Sequence, residues 1–240
     1  MRGPGRWDCE IVDERDGSYS VTYVAKAAGS YQLDVGLAPM NGPIAGSPFS
    51  IVVAPGKPHA AASGPAEQPP AVVRAGAPLK VAVLLRDRHG NDATTTGGGG
   101  GAVVAGTLSG AVGTLRADVK VGKDGGHALS VTPTVAGEYQ LAITLGGAHV
   151  RGSPFAVRVA AARPHAAAFA LSGTPPRWPT LEAGASLSLQ LIAKDRYGNA
   201  LDAPAAAPPV VQLVALESES RRPSRSSSVG TPKGKARPNG

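Results

Sequence analysis

The chain repeats itself, and the spacing of the repeat constrains its fold more than any single motif. Gly29-Ser30-Tyr31-Gln32-Leu33 recurs as Gly137-Glu138-Tyr139-Gln140-Leu141, 108 residues on, and Asp16-Gly17-Ser18-Tyr19 aligns with Asp124-Gly125-Gly126-His127 at the same spacing. Gly46-Ser47-Pro48-Phe49 recurs as Gly152-Ser153-Pro154-Phe155, and Lys57-Pro58-His59-Ala60 as Arg163-Pro164-His165-Ala166, both at 106. Arg86-Asp87-Arg88-His89-Gly90-Asn91 returns as Lys194-Asp195-Arg196-Tyr197-Gly198-Asn199, back at 108. Ordered matches with two-residue slips describe structural modules whose loops differ in length. The phase divides the chain into the second half of a module (1–54), one complete module (55–160), the first half of another (161–216) and a tail (217–240).

Within each period the apolar residues alternate. Leu79, Val81, Val83 and Leu85 share one face, as do Leu187, Leu189 and Leu191; Tyr19, Val21 and Tyr23 alternate with Ser18, Ser20 and Thr22. A period of two is the mark of a strand with one buried face. Gly and Pro interrupt these runs at short, regular intervals, as in a sandwich. Seven strands are expected in the complete module, near 58–63, 77–86, 101–108, 113–122, 126–132, 138–146 and 153–160. The fold class is all-β, an immunoglobulin-like sandwich. With one cysteine, Cys9, it contains no internal disulfide, and with only 4% aromatic residues its core is built from aliphatic side chains.

The combination of Asp16-Gly17-Ser18-Tyr19-Ser20-Val21-Thr22-Tyr23, Ala28-Gly29-Ser30-Tyr31 and Ile44-Ala45-Gly46-Ser47-Pro48-Phe49 resembles the filamin (actin-binding protein 280) repeat, in which these pieces occur in this order. The A-G, alternating-strand and D-x-x-G-N pattern of the same repeat stands at 75–91 and 183–199. His127 departs from it where the family usually has Tyr, Arg151 where Ala is usual, and the run Gly97 to Gly101 is foreign to it. Read physically, Gly90 and Gly198 supply a positive φ in a turn opened by Asp87 or Asp195. Pro48 and Pro154 open strands, and Tyr31 and Tyr139 stand where a corner tyrosine stands in such sandwiches.

Catalytic and metal-binding chemistry is not indicated. There is no G-x-S-x-G elbow, and Gly97–Gly101 is followed by Ala-Val-Val-Ala rather than the lysine a phosphate loop needs. The five histidines show no H-x-E or H-x-x-x-H spacing. Asp87 and Asp195 are expected to cap turns, not to face one another as an acid and a base. No enzyme, cofactor or metal is expected. No apolar run is long enough for a membrane-spanning helix, and the first ten residues lack the apolar core of a secretory signal. The net charge is +7, of which +4 lies in residues 217–240. The remaining body is only mildly basic, without a basic, aromatic-rich face, so nucleic acid is not an expected partner. The tail is read as disordered, with Ser224 and Ser228 downstream of arginines as phosphorylation sites.

Binding remains. Sheet edges accept extended peptides as added strands. The resemblance implies a ligand groove between two strands of the complete module. One wall is Ala102, Val103, Val104, Ala105, Gly106, Thr107 and Leu108; Leu115, Ala117, Val119 and Val121 face it. It also implies a noncatalytic scaffold, cytoplasmic and linked to the actin cytoskeleton by analogy, that binds partner proteins. Cell-surface adhesion, or the repeat region of a ubiquitin ligase, are the alternatives. A half sandwich cannot offset the entropy of its own ordering. The half modules therefore belong to a longer array or complement one another head to tail, as in self-association by domain swapping.

Overall fold

The computed structural model describes residues 2–37, 42–94, 103–172 and 180–202. The complete module is a two-sheet sandwich. One sheet runs β11 (Gly113–Arg116), β10 (Val104–Gly110), β14 (Gly137–Leu145), β16 (Phe155–Ala160), β8 (Val72–Arg74), with β15 (Ala148–His149) paired to β14. The other runs β12 (Asp118–Val121), β13 (His127–Val131), β9 (Leu79–Leu84), β7 (Gly64–Pro65). Pairing is antiparallel except between β16 and β8. The alternation places Leu79, Val81 and Val83 inside against Leu108, Leu141, Ile143, Val157 and Val159, while Lys80 and Ala82 face solvent. Burying each of these aliphatic side chains contributes about 1.5–3 kcal/mol, which is how a module almost without aromatic residues holds together.

Two expected strands are different. Residues 58–63 form a turn: the N–H groups of Ala62 and Ser63 donate to His59 O, and the strand begins at Gly64. The Ser63 hydroxyl fixes the turn by accepting from Arg86 N at 3.0 Å. The equivalent residues Ala166–Ala168 form a short 3-10 helix. The run 113–122 breaks at Ala117, whose N–H donates to Gly106 O at 2.8 Å. There the chain leaves one sheet for the other, so β11 and β12 lie in different sheets.

The amino-terminal group consists of β1 (Trp7–Asp13) on β2 (Tyr19–Ala25), β3 (Gly29–Leu33) on β6 (Phe49–Val53), and the short pair β4 (Gly36–Leu37) and β5 (Gly42–Pro43). Its registers copy the complete module. Tyr31 pairs with Ile51 as Tyr139 pairs with Val157, and Ile11 pairs with Val21 as Val119 pairs with Leu129. The carboxy-terminal group contains β17 (Ala170–Ser172) on β18 (Gln190–Ile192).

Candidate functional site

The D-x-x-G-N sequences build the joints between neighbouring modules. In the first, Asp87 is buried and its carboxylate accepts four N–H donors. Gly56 N donates to Oδ2 at 2.8 Å, Asn91 Nδ2 to Oδ2 at 2.8 Å, His89 N to Oδ1 at 2.8 Å and Asn91 N to Oδ1 at 3.0 Å. Gly56 lies in the connection from the preceding group. Gly90, with φ 88°, makes the reversal that brings Asn91 back onto the aspartate, a conformation glycine adopts without strain. Asn91 then reaches the preceding group: its Oδ1 accepts from Ala28 N at 2.8 Å and its Nδ2 donates to Lys26 O at 2.8 Å. The Tyr31 hydroxyl donates to Ala27 O at 2.8 Å, holding the loop that Asn91 grips.

The second joint repeats the first. Asp195 accepts from Ala162 N at 2.7 Å, Asn199 Nδ2 at 2.8 Å, Tyr197 N at 2.8 Å and Asn199 N at 2.9 Å. Asn199 accepts from Ala136 N at 2.9 Å and donates to Thr134 O at 2.8 Å, while the Tyr139 hydroxyl donates to Val135 O at 3.0 Å. Burial acts to raise both carboxyls, but the donors from the asparagine, the linker and the turn outweigh it. Both are held below the usual carboxylate range. A buried charge surrounded by fixed N–H donors is a rigid anchor, because removing any one donor or the acceptor leaves a buried polar group unpaired.

The expected groove lies where β10, β11 and β12 meet. Val104, Gly106 and Leu108 point into the core, and Ala117 and Val119 pack against it. Ala105 is exposed and Thr107 half-buried. Val103, Leu115 and Val121 are exposed apolar residues at the rim. Ala102 lies outside the described residues, as do the Gly97–Gly101 run, Ser224, Ser228 and the tail. β10 itself is not an edge over 107–110, because β11 covers one side and β14 the other. Among the described residues, the edge strands beside this groove are β11, which pairs only with β10, and β12, which pairs only with β13; β8 and β7 form the opposite edges of the two sheets.

Comparison with known proteins gives these features a family. The model of the Filamin/ABP280 repeat matches residues 2–50 and 54–156. The chain belongs to the filamin repeat family. It is similar to Filamin-A of Drosophila melanogaster, with 31% identity over 152 residues, which is 62% of this chain and 6% of that protein. The chain thus spans a small fraction, 6%, of this relative's length. Among solved structures it resembles the Escherichia coli adhesin FdeC, with a TM-score of 0.52 and 20% identity, covering 82% of this chain and 60% of that one. That likeness shows the fold alone.

As a filamin-type repeat the complete module is a structural and interaction unit. Among the described residues no group of three or more His, Cys, Asp or Glu gathers as a metal site, and no helix is long and apolar enough to cross a membrane. Cys9 is an exposed free thiol on β1. His127, standing where the family usually has Tyr, is buried on β13 with Nδ1 unpartnered. Sequence reasoning assigned Asp87 and Asp195 to turn capping, which they perform. It missed that they also hold the linker, and that Asn91 and Asn199 hold the neighbouring module. The available signal was the Asp-to-Asn spacing of four, present twice with the same glycine between.

Proposed function

We propose that this chain is a noncatalytic scaffold of tandem filamin-type repeats that binds extended segments of partner proteins by strand addition, in association with the cytoskeleton. The observation that carries the proposal is that, of the sheet edges, β11 and β12 are the ones that meet at the groove and are bordered there by the exposed apolar residues Val103, Leu115 and Val121. An incoming strand would satisfy the unpaired main-chain groups of an edge, and its alternate side chains would cover the apolar rim. The paired joints suit a scaffold, because they hold one module against the next through main-chain contacts that any module sequence can make. Actin enters only by analogy with the family.

Titration of the isotope-labelled chain with amphipathic strand peptides tests the binding mode. Chemical-shift changes concentrated in 103–121 are expected; changes elsewhere, or none, would remove the edge as the binding site. Co-sedimentation with cytoskeletal fractions is the expected cellular result, whereas surface labelling of intact cells would assign the chain to adhesion instead.

A further inference from the structure

Three arginines from three separate segments line one cleft beside the second joint. Arg74 ends β8, Arg163 lies in the linker after β16, and Arg196 stands in the turn that Asp195 opens. His165 and the tight turn at 75–77 complete the walls, the turn being closed by Ala77 N, which donates to Arg74 O at 2.9 Å. The cleft has a volume of about 400 Å³ and no carboxylate in its lining. Asp195, on the same turn as Arg196, is buried and its oxygens are taken by the four N–H donors described above. Both ion pairs among the described residues are made by Arg158, so there the three guanidiniums have no acidic partner.

The joint holds these charges in place. Asn199 grips Thr134 and Ala136, and Pro133, just before them, accepts from Gly76 N at 2.7 Å. The Tyr197 hydroxyl packs on Gly76, where a side chain would have no room. Arg196 lies over the Tyr197 ring, 5.0 Å from its centroid, with Nη2 donating to the hydroxyl at 2.9 Å. Arg163 is set between Ala162 N and His165 N, which donate to Asp195 Oδ2 at 2.7 Å and to Lys194 O at 3.0 Å. At the first joint Lys57, His59 and Arg88 take the places of Arg163, His165 and Arg196. There the following module is complete, and all three residues are exposed. A full module thus leaves this linker and turn in solvent, and both copies carry basic charge on them.

We propose that this cleft binds a phosphomonoester carried on an extended segment of a partner protein, a phosphoserine or phosphothreonine, and that the bound phosphate locks the joint. A phosphate dianion presents three oxygens to three guanidinium forks, whereas a carboxylate has two oxygens and one charge. The chain around the phosphate has a place to lie. β8 runs into the cleft at Arg74, pairs only with β16 among the described residues, and carries the exposed Val72. Arg74 belongs to the module, Arg163 to the linker and Arg196 to the next turn, so the three converge only while the joint is closed. Phosphate binding and joint closure therefore support one another. The site lies at the opposite end of the sheet from β11, so this reading and the strand addition proposed there fail separately.

The test titrates the isotope-labelled full chain with a degenerate pool of short peptides holding a central phosphoserine. The Nε–H signals of Arg74, Arg163 and Arg196 are expected to shift together. The Ala136 amide, which donates to Asn199 Oδ1, is expected to exchange about tenfold more slowly at about ten times the dissociation constant. Arg74→Gln and Arg196→Gln are each expected to weaken binding about tenfold or more, while Ala136 protection without peptide stays within about threefold of the parent. Lys120→Gln, which removes an exposed charge on β12, is expected to change affinity less than about threefold. The same pool with serine in place of phosphoserine is expected not to bind. No shift at the three arginines, equal binding of the serine pool, full affinity in both arginine variants, or an Ala136 amide that the peptides leave unchanged would overturn the proposal. Tighter binding of inositol trisphosphate than of the phosphopeptides would give the cleft to a lipid headgroup and overturn it as well.

Discussion

Replacing Asn91 by alanine is the sharpest probe of the module joint. The substitution removes three hydrogen bonds, all at 2.8 Å: Ala28 N to Oδ1, Nδ2 to Lys26 O and Nδ2 to Asp87 Oδ2. Two of these cross the joint, and the third is assisted by the aspartate charge. A neutral bond contributes about 0.5–1.5 kcal/mol and one to a charged group about 1.5–3 kcal/mol, which bounds the total at roughly 2.5–6 kcal/mol. Asn91 is half-buried, so water recovers part of that, and about 2–3 kcal/mol is expected in the opening of the joint. The Ala28 amide reads this directly by hydrogen exchange, because Asn91 Oδ1 is its acceptor. At about 1.4 kcal/mol per tenfold, the Ala28 amide is expected to exchange some 30-fold faster or more. Core amides such as Leu141 are expected to change less than about threefold, since the joint opens below the global unfolding free energy. Asn199→Ala is expected to do the same to Ala136. Protection at Ala28 that stays within about threefold of the parent, or a loss spread evenly through the core, would refute the assignment of Asn91 as the joint.

Ile143→Ala, at a fully buried position on β14, is expected to cost about 2–5 kcal/mol in urea unfolding of the complete module. A change below about 1 kcal/mol would mean the sandwich core is not where it stands here. Tyr139→Phe removes only the hydroxyl that donates to Val135 O, and is expected to lower stability by about 1 kcal/mol while leaving the circular dichroism spectrum unchanged. The joint carboxyls set a pH dependence. Both are depressed in the folded chain, so their contribution is complete above the unfolded value of about 4 and is lost as pH falls below it. The urea midpoint is expected to be level between about pH 5 and 7 and to drop below about pH 4, with a shallower acid limb in Asp87→Asn; an unchanged acid limb would contradict the role given to this carboxylate.

The sandwich was legible in the sequence because its signals are carried by side chains. Leu79, Val81 and Val83 face the core as their spacing requires, Tyr31 and Tyr139 make the corner contacts, and Phe49 and Phe155 follow the prolines that open their strands. The joint was not legible because half of it is main chain. Asn91 meets Ala28 and Lys26 only through an N–H and a C=O, and neither side chain encodes the contact. The turn at 58–63 escaped notice because its small residues fit a strand as well as a helical turn. The change of sheet at Ala117 was hidden because a small apolar residue there keeps the alternation intact. The groove residues separate for the same reason: alternation distinguishes inward Val104 and Leu108 from outward Ala105, but not a covered strand from an edge.

The slips in the repeat follow from the joint. Asn91 and Ala28 are 63 residues apart, as are Asn199 and Ala136, and the asparagine-to-carbonyl contacts are 65 apart in both copies. The aspartate-to-linker contacts differ, at 31 residues for Gly56 and 33 for Ala162. The two-residue changes therefore fall inside the loops between the anchors, one shortening the return to the linker and the other lengthening the path from it. Each aspartate takes whatever linker N–H arrives, since an N–H donor carries no side-chain requirement. A joint gripped through the main chain tolerates drift in the loops that lead to it, provided that the aspartate, the positive-φ glycine and the asparagine keep their mutual spacing. Moving that asparagine one residue along the turn, by inserting a residue after Gly90, is thus expected to release the Ala28 amide as fully as Asn91→Ala. An insertion of the same size at the exposed turn Gly146-Gly147 is expected to leave it protected, and equal exchange of Ala28 in the two insertion variants would break this account of the repeat.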